Sequence, residues 1–395
     1  MSERVAGRST NAQRQVLAFA YACHPDKGSE PGAGATLARI VAGISDHVVV
    51  ITRKEPGLNA DQLAERLGEN VTVIQAGPAA TNLPTYLRYF LWILDAARVA
   101  TRLQADREFN VVHHLTYASD WFAHPLLFMK KRESERWVWG PAGGASYAPY
   151  GVSKQVTKSL ALGELARGLS TRALRAVVHR LSRSRVDVAL ALNSDSERSF
   201  VSAKFTNVAV QVNAVLDYAS LPTRVAPIDP LLVYAGRGVK WKGLPFVIAA
   251  MQHLGPNWKL KVAGPGTDTP YFRELAAPLG DRIQFVGTLD RIATLALFAN
   301  ATAVVLPSLH DSAPWSAAES AGIGTPVICL DLGGVGAMAG PLARIVPIHP
   351  TGDLAQRFAA AASATHLIAT TRSPAHTKEA LESTLNWAYD GERSP

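Results

Sequence analysis

Asp311 and Glu319 are separated by seven residues in the stretch LPSLHDSAPWSAAESAGIGTPVICLDLGG, which runs from Leu306 to Gly334. An apolar strand (AVVLPS) leads into a polar loop, a small-residue helix follows, and a second apolar strand (PVICLDL) comes after it. One acid therefore precedes the helix and the other lies inside it. Such a pair can offer two carboxylates to a polyhydroxylated ligand over the helix N-terminus, because a carboxylate accepts from both hydroxyls of a vicinal diol. Ala313, Pro314, Trp315 and Ser316 lead into the helix, and the backbone N–H groups there, Pro314 excepted, lack intrahelical partners and can meet a ligand. The plainer reading of Glu319 is a solvated acid on a helix of small residues.

Arg237 and Lys242 form the second chemical element. LLVYAGRGVKWKGLPFVIAAM reads as a strand, a turn flanked by glycines that include Gly236, and a helix. A strand end meeting a helix N-terminus is already an anion site. Two cations added there can hold a diphosphate and neutralise the charge that builds on a leaving group. Taken alone, GRGVKWKG reads equally well as an ordinary basic turn.

Glycines and histidines mark further loops. After a strand at Val16–Tyr21 comes ACHPDKGSEPGAGATLARIVA, in which Gly28, Gly32 and Gly34 permit close backbone approach and a helix over Gly34–Gly43 points its positive end outward. His24 lies in the same loop. His113 and His114 end the strand NVVHH, and strand alternation sends their rings to opposite faces, so one of them reaches a ligand. A hydrogen-bonded core histidine is the alternative. Gly140, Gly143 and Gly144 form another glycine loop. No Asp-x-Asp motif, spaced His/Cys cluster or Gly-x-x-x-x-Gly-Lys-Ser/Thr loop occurs, so neither a metal site nor ATPase chemistry is expected.

The elements that position these residues alternate. Short aliphatic strands are expected at His47–Thr52, Val71–Gln75, Val111–His113, Trp137–Gly140, Val186–Leu192, Leu231–Ala235, Lys259–Ala263, Ile283–Phe285, Ala303–Leu306, Pro326–Cys329 and Ala343–Pro347. Helices fall between them, among them Leu83–Gln104, Ser153–Ser184, Ala317–Gly322 and a last one at His376–Tyr389. This is an α/β pattern of parallel sheets covered on both faces. Three prolines in Asp217–Pro230 mark a linker. The expected division is a disordered tail over 1–15, one doubly wound domain over 16–216, the linker 217–230, a second such domain over 231–374, and a C-terminal helix within 375–395.

These stretches together resemble the retaining glycosyltransferases of family 4, of GT-B type, whose donor motif has two glutamates flanking seven residues. Within that family a bacterial subgroup reads GSEPG-x-G-W, VLTR, DVVHxLT and WGPxGG. This chain reads GSEPGAGAT, VVVITR, NVVHHLTYAS and VWGPAGG, so the resemblance spans roughly Val16 to Gly334. It implies two Rossmann-like domains facing across a cleft, with the last helix crossing back to the first. It implies metal-independent, retaining transfer from a nucleotide-diphosphate sugar, UDP or GDP, to a hydroxyl of a glycolipid, polysaccharide or natural product. In that scheme Arg237 and Lys242 hold the diphosphate, Glu319 the ribose and Asp311 the transferred sugar. Gly264, Gly287, Thr288 and Leu289 lie near the base, and Gly32, Gly34, Gly236 and Ala313–Ser316 complete the donor site. His24, His113, Gly143 and Gly144 face the acceptor, and His113, His114, Arg237, Lys242 and Asp311 make up the catalytic set. The chain departs from the family at Asp311, one methylene short of glutamate, and at Asn213-Ala214, where Asn-Gly is usual. Two other readings keep the fold: a catalytically silent nucleotide-sugar-binding protein, and a GT-B sugar epimerase.

Bulk properties agree with two globular domains. The 395 residues are 48% hydrophobic and 18% charged. The N-terminus is polar and lacks the apolar core of a signal peptide, and Cys23 and Cys329 read as reduced, buried thiols, which together suggest a cytoplasmic protein. The formal net charge of +8 favours anionic partners such as nucleotide phosphates or an acidic membrane face, whereas no nucleic-acid-binding signature appears. Tyr86, Tyr89, Phe90 and Trp92 lie on the helix Leu83–Gln104 among arginines. One reading is a peripheral patch that takes lipid-linked acceptors from the inner leaflet; an amphipathic helix packed on its own sheet is the preferred one.

Overall fold

The structure is a computed structural model, and it describes residues 13–27, 29–55, 57–79, 82–225, 227–349, 352–366, 371–373 and 376–391. Residues 1–12 of the expected tail, and Gly28, lie outside the described residues. The first part of the chain folds as β1 (Gln15–Ala20), α1 (Ser29–Gly43), β2 (His47–Arg53), α2 (Ala60–Leu67), β3 (Val71–Ala76), α3 (Thr85–Asp106), β4 (Val111–Thr116), β5 (Arg136–Ala142), α4 (Tyr150–Val156), α5 (Lys158–Ser182), β6 (Val188–Ala191), α6 (Ser194–Ser202) and β7 (Val208–Val210). The second part continues as β8 (Leu231–Ala235), α7 (Leu244–Ala250), β9 (Lys259–Ala263), α8 (Pro270–Ala276), β10 (Ile283–Gly287), α9 (Arg291–Ala299), β11 (Ala303–Leu306), α10 (Trp315–Ile323), β12 (Val327–Leu330), α11 (Val335–Ala339), β13 (Ala343–Val346), α12 (Leu354–His366) and α13 (Lys378–Asp390).

Two sheets result, with strand orders β3-β2-β1-β4-β5-β6-β7 and β10-β9-β8-β11-β12-β13. Both are doubly wound, and in both the order reverses beside the first strand: between β1 and β4, and between β8 and β11. Loops that leave the carboxyl ends of parallel strands diverge at such a point and leave room for a ligand. The inner strands β1, β2, β8, β11 and β12 are nearly continuous apolar runs because helices bury both faces. By contrast β7, β9, β10 and β13, at or next to the sheet edges, are partly exposed. In the second sheet Leu232, Tyr234, Leu260 and Val262 pack with Phe246 of α7 and Phe358 of α12. The alternate residues Val233, Val304 and Val327 pack with Phe298 of α9 and Ala317 of α10.

The described residues divide into two compact units, the first holding residues 13–117, 124–138 and 385–391 and the second 118–123 and 139–384. In the first unit the end of α13 is fixed by polar contacts. Arg14 donates to Asn386 Oδ1 (2.7 Å) and to both oxygens of Asp390, and Arg136 Nε donates to the Ala388 carbonyl (2.6 Å).

Several boundaries differ from expectation. α1 opens at Ser29, not Gly34, with Glu30 and Pro31 in its first turn, where an acid suits the helix dipole and proline needs no partner for its missing N–H. Gly32 and Gly34 therefore lie inside the helix. The helix expected over Ser153–Ser184 is two helices, because Thr157 is extended (φ −158°, ψ 152°) and caps α5 by accepting from the Leu160 amide. β4 runs on to Thr116, and α2, α6 and β7 are additional. On α3 the rings of Tyr89 and Trp92 are buried, while Tyr86 is exposed. Among the described residues no helix is long and apolar enough to cross a membrane. Cys23 and Cys329 are buried free thiols, both pushed up to about 12 by burial.

Candidate active site

The loops after β8 and β11 come from neighbouring parallel strands, paired through Leu232–Ala303 and Val233–Val304. Arg237 to Lys242 follow β8, and His310 to Pro314 follow β11, so the two chemical segments of the sequence meet at the switch point of the second sheet. Glycine turns close the neighbouring strands. Gly236 N donates to the Ala263 carbonyl (3.0 Å), and Gly264 N donates to that of Gly287 (2.8 Å). Gly236, Gly264 and Gly287 are thus linked across the carboxyl ends of β8, β9 and β10, with Thr288 and Leu289 directly after Gly287.

Arg237 is exposed, its guanidinium 5.6 Å from the Trp241 ring centroid. Lys242 Nζ lies over the same ring at 4.9 Å and forms an ion pair with Asp311 Oδ2. The other partner of the Trp241 ring is His310, stacked at 4.3 Å. The amide of Leu309 also donates to the Trp241 carbonyl (2.9 Å), which ties the two loops together. Burial, with Arg167 nearby, pulls the His310 imidazole down to about 4, so this ring is neutral at pH 7. Its Nδ1 lies 3.8 Å from Glu164 Oε1.

The loop that carries Asp311 is held from behind. Gly334 N donates to the Asp311 carbonyl (2.7 Å), and Asn193 Nδ2 donates to that of Ser312 (3.0 Å). A Cβ on Gly334 would run into the Ser312 carbonyl, so the double glycine after β12 is a steric requirement of this loop. Gly143 faces the same loop: a Cβ there would meet the Ser312 side chain. The glycine expected on the acceptor side therefore also supports the segment containing Asp311. Gly144 is held by Arg175, which donates to its carbonyl (2.9 Å) and pairs through two bonds with the buried Asp120.

Glu319 is buried on α10, and Arg291 Nε at the start of α9 donates to its Oε1 at 2.9 Å. Burial raises the Glu319 carboxyl above its ordinary value, and Arg291 opposes that rise. Ala313, Pro314, Trp315 and Ser316 are partly exposed at the head of α10, whereas Ala317 to Ser320 are buried.

In the first unit, His113 and His114 are both fully buried. Their rings do point opposite ways. His113 Nδ1 meets Tyr389 Oη at 2.7 Å, and His114 Nε2 meets Tyr89 Oη at 3.3 Å and stacks with His124. Neither ring is solvent-exposed, against the expectation that one of them would be presented by the strand end. Burial lowers the His114 imidazole to about 3. His24 Nδ1 accepts from the Asp26 amide (3.2 Å) and shapes its own loop. Gly32 and Gly34 admit close packing: a Cβ would run into the carbonyls of Lys27 and Ala22 respectively.

Four further residues carry no clear signal in the sequence. Arg291 is 28 positions from Glu319 with no pattern joining them. Trp241 and His310 adjoin Lys242 and Asp311, and nothing in their spacing marks them apart from those charged neighbours. Glu30, at the head of α1, accepts from the Tyr117 amide (2.7 Å); burial raises its carboxyl, and Tyr117 has the unusual φ of 58° for a non-glycine residue.

Comparison with known proteins bears on this half of the chain. Residues 224–367 match the family described as Glycosyl transferases group 1. Over 124 residues the chain is 35% identical to a glycogen synthase of Mycobacterium tuberculosis, covering 30% of this chain and about 30% of that enzyme's length. Two solved structures match nearly throughout. The sucrose-phosphate synthase of Thermosynechococcus elongatus has a TM-score of 0.63 at 17% identity, covering 96% of this chain and 99% of its own. Anabaena HepE in complex with UDP and glucose has a TM-score of 0.53 at 17% identity, covering 93% and 94%. At such identities these structures establish the fold. Residues 224–367 thus form a glycosyl transferases group 1 domain, in a chain of the GT-B fold.

Proposed function

We propose that this chain is a retaining, metal-independent glycosyltransferase that moves a sugar from a nucleotide-diphosphate sugar, UDP or GDP, to an acceptor hydroxyl. The observation that carries the reading is the assembly at the β8–β11 switch point of Arg237, Lys242 and Asp311, with Glu319 one helix away. Arg237 and Lys242 hold the donor diphosphate. Glu319 accepts from the ribose diol, Asp311 reads the transferred sugar, and the glycine turns at Gly264 and Gly287 approach the base. The bound UDP of Anabaena HepE supports this class of donor.

As the bond from the anomeric carbon to the diphosphate breaks, negative charge grows on the leaving oxygen, and Arg237 and Lys242 stabilise it. The acceptor hydroxyl attacks from the face the diphosphate leaves, and its proton passes to a departing phosphate oxygen. Two fixed cations supply the charge a divalent metal would otherwise bring. Residues 16–216, which make the first sheet, would recognise the acceptor, through loops carrying His24, Gly143 and Gly144; residues 231–374 would bind the donor. His113 and His114 act as buried groups that position the end of β4 through their contacts with Tyr389 and Tyr89. The two buried thiols fit a cytoplasmic setting.

Thermal unfolding with a panel of nucleoside diphosphates and their sugars tests donor binding: a ligand at a hundred times its Kd stabilises by ~2.7 kcal/mol. Activity should survive EDTA. Binding without release of sugar would instead favour the silent nucleotide-sugar-binding protein.

A further inference from the structure

The two paired charges at the β8–β11 switch point are each preceded by a ring: Trp241 comes before Lys242, and His310 before Asp311. These rings stack on one another, with centroids 4.3 Å apart and planes inclined by 23°. The Leu309 amide donates to the Trp241 carbonyl (2.9 Å), so backbone as well as rings joins the two loops. Trp241 itself sits on a short turn, Lys240–Lys242, that ends at Gly243 with a φ of 76°. A Cβ on Gly243 would run into the Pro307 carbonyl just beyond β11. The turn can lie this close to the neighbouring strand only because that position is glycine.

Both cations of the site gather on the Trp241 ring. The Arg237 guanidinium carbon lies 5.6 Å from a ring centroid of Trp241, and Lys242 Nζ lies 4.9 Å from one. Two like charges brought together repel, and long side chains lose rotamer freedom when held in one place. An indole face attracts a cation within about 6 Å and offsets part of both costs. Lys242 has Asp311 as a second anchor. Arg237 has no carboxylate within ion-pair distance among the described residues, and the ring takes that place. His310 keeps the indole from turning away: it stacks on Trp241 with its Nδ1 3.8 Å from Glu164 Oε1. Glu164 is fixed in turn, because Arg167 donates to its Oε2 from Nε (3.1 Å) and Nη2 (2.8 Å). All of these residues belong to the second compact unit.

We infer that Trp241 is a positioning residue for the donor diphosphate: its indole face seats Arg237 and Lys242 as a pair, and His310 holds the indole in place. That role rests on the donor site proposed above and adds how its two cations come to lie together. Trp241 also packs against the core beneath β8, so a purely space-filling ring is the plainer alternative. The two roles differ in what they need. Filling space requires apolar bulk, which a leucine supplies, whereas seating cations requires the π face. A lost seat weakens only the part of a ligand that the cations hold, whereas a disordered core weakens every part.

Isothermal titration of the full chain with UDP, GDP and the matching monophosphates, UMP and GMP, tests this. The quantity read is the preference for the diphosphate, the monophosphate Kd divided by the diphosphate Kd. Trp241→Leu should lower that preference about tenfold, and Trp241→Phe, which keeps a smaller π face, by no more than about threefold. His310→Ala should lower it about threefold, whereas His310→Phe, which still stacks, should leave it unchanged. Added to Trp241→Leu, His310→Ala should cost nothing further, since it acts through the indole. An unchanged preference in Trp241→Leu, or fully additive losses in the double variant, would overturn the inference. So would equal weakening of mono- and diphosphates, the mark of a merely structural ring. Failure of the unsubstituted chain to bind either diphosphate would sink the donor site itself, and this role with it.

Discussion

Lys242 Nζ and Asp311 Oδ2 form an ion pair that joins the turn after β8 to the loop after β11, with only 17% and 18% of the two side chains exposed. Without a donor, the lysine assigned to the diphosphate is neutralised by the acid assigned to the sugar. Donor binding must therefore redistribute this charge: the diphosphate competes for Lys242, and Asp311 is released toward the sugar hydroxyls. Removing either partner leaves a largely buried charge without its mate.

Lys242→Ala should lower kcat/KM at least ~100-fold, since a charge-stabilising group of this kind supplies about 2.7–4 kcal/mol to the transition state. Either Lys242→Met or Asp311→Leu alone should destabilise the fold by ~1–3 kcal/mol, and the pair together by less than the sum. Urea unfolding of the three variants measures the coupling. Strict additivity would mean the pair is not energetically linked.

Asp311→Glu, which adds one methylene, should push the carboxylate further toward the sugar. Nucleoside diphosphate affinity should stay within about threefold while the ranking of donor sugars by kcat/KM shifts by about tenfold, the scale of one altered hydrogen bond. A change in nucleotide affinity with unchanged sugar ranking would place Asp311 at the diphosphate instead.

Glu319 must be ionised to accept from a ribose diol, and burial raises its carboxyl while Arg291 holds it down. Donor affinity should therefore fall with acid at a higher pH than for an ordinary carboxylate. Arg291→Ala should move that limb to still higher pH, and Arg291→Lys should move it less. The sign for stability is opposite: a raised acid favours folding below its unfolded value, and this contribution is lost as pH rises through the folded value. The pH profile of donor Kd measures the first effect; an unmoved limb in Arg291→Ala would separate Arg291 from Glu319.

His310 and His179 titrate at about 4 and His114 at about 3, all lowered mainly by burial from an ordinary 6.5. Unfolded chains bind protons at these rings below 6.5, while the folded chain does not until about 4 or lower. Stability is therefore full above pH 6.5 and falls as pH drops below it, by on the order of 3–5 kcal/mol per ring once the folded values are passed. Urea midpoints at pH 7.5, 6 and 5 should decline in order, and His179→Phe should flatten the decline. A midpoint constant over this range would show that the rings are already accessible to protons.

Much of this was legible in the sequence, for physical reasons. β8 and β11 are legible to the residue because each is a short apolar run bounded by Pro, Gly or Thr, and β9 because its alternating KLKVA pattern ends at Gly264. α2 is hard to read from sequence although Asn59 and Gln62 form a capping box, since its buried stripe is only Leu63 and Leu67 in eight residues. GSEPGAG has the composition of a glycine loop, which hides the start of α1 at Ser29, whereas Gly32 and Gly34 serve helix packing. Arg291 was invisible, because its link to Glu319 exists only once α9 and α10 pack together. His113 and His114 were read from strand alternation, which gives opposite faces correctly but cannot tell that both faces are covered, one of them by Tyr389 from the far end of the chain.

Retention of configuration at the anomeric carbon is the central claim, and proton NMR of donor turnover tests it most directly. The chain is incubated with a panel of α-linked UDP- and GDP-sugars, and the anomeric signal of the first sugar released is read before mutarotation. The proposed chemistry predicts slow release of the α anomer from at least one donor, and its loss in Arg237→Ala and Lys242→Ala. Release of the β anomer, or undiminished release by either variant, would contradict it.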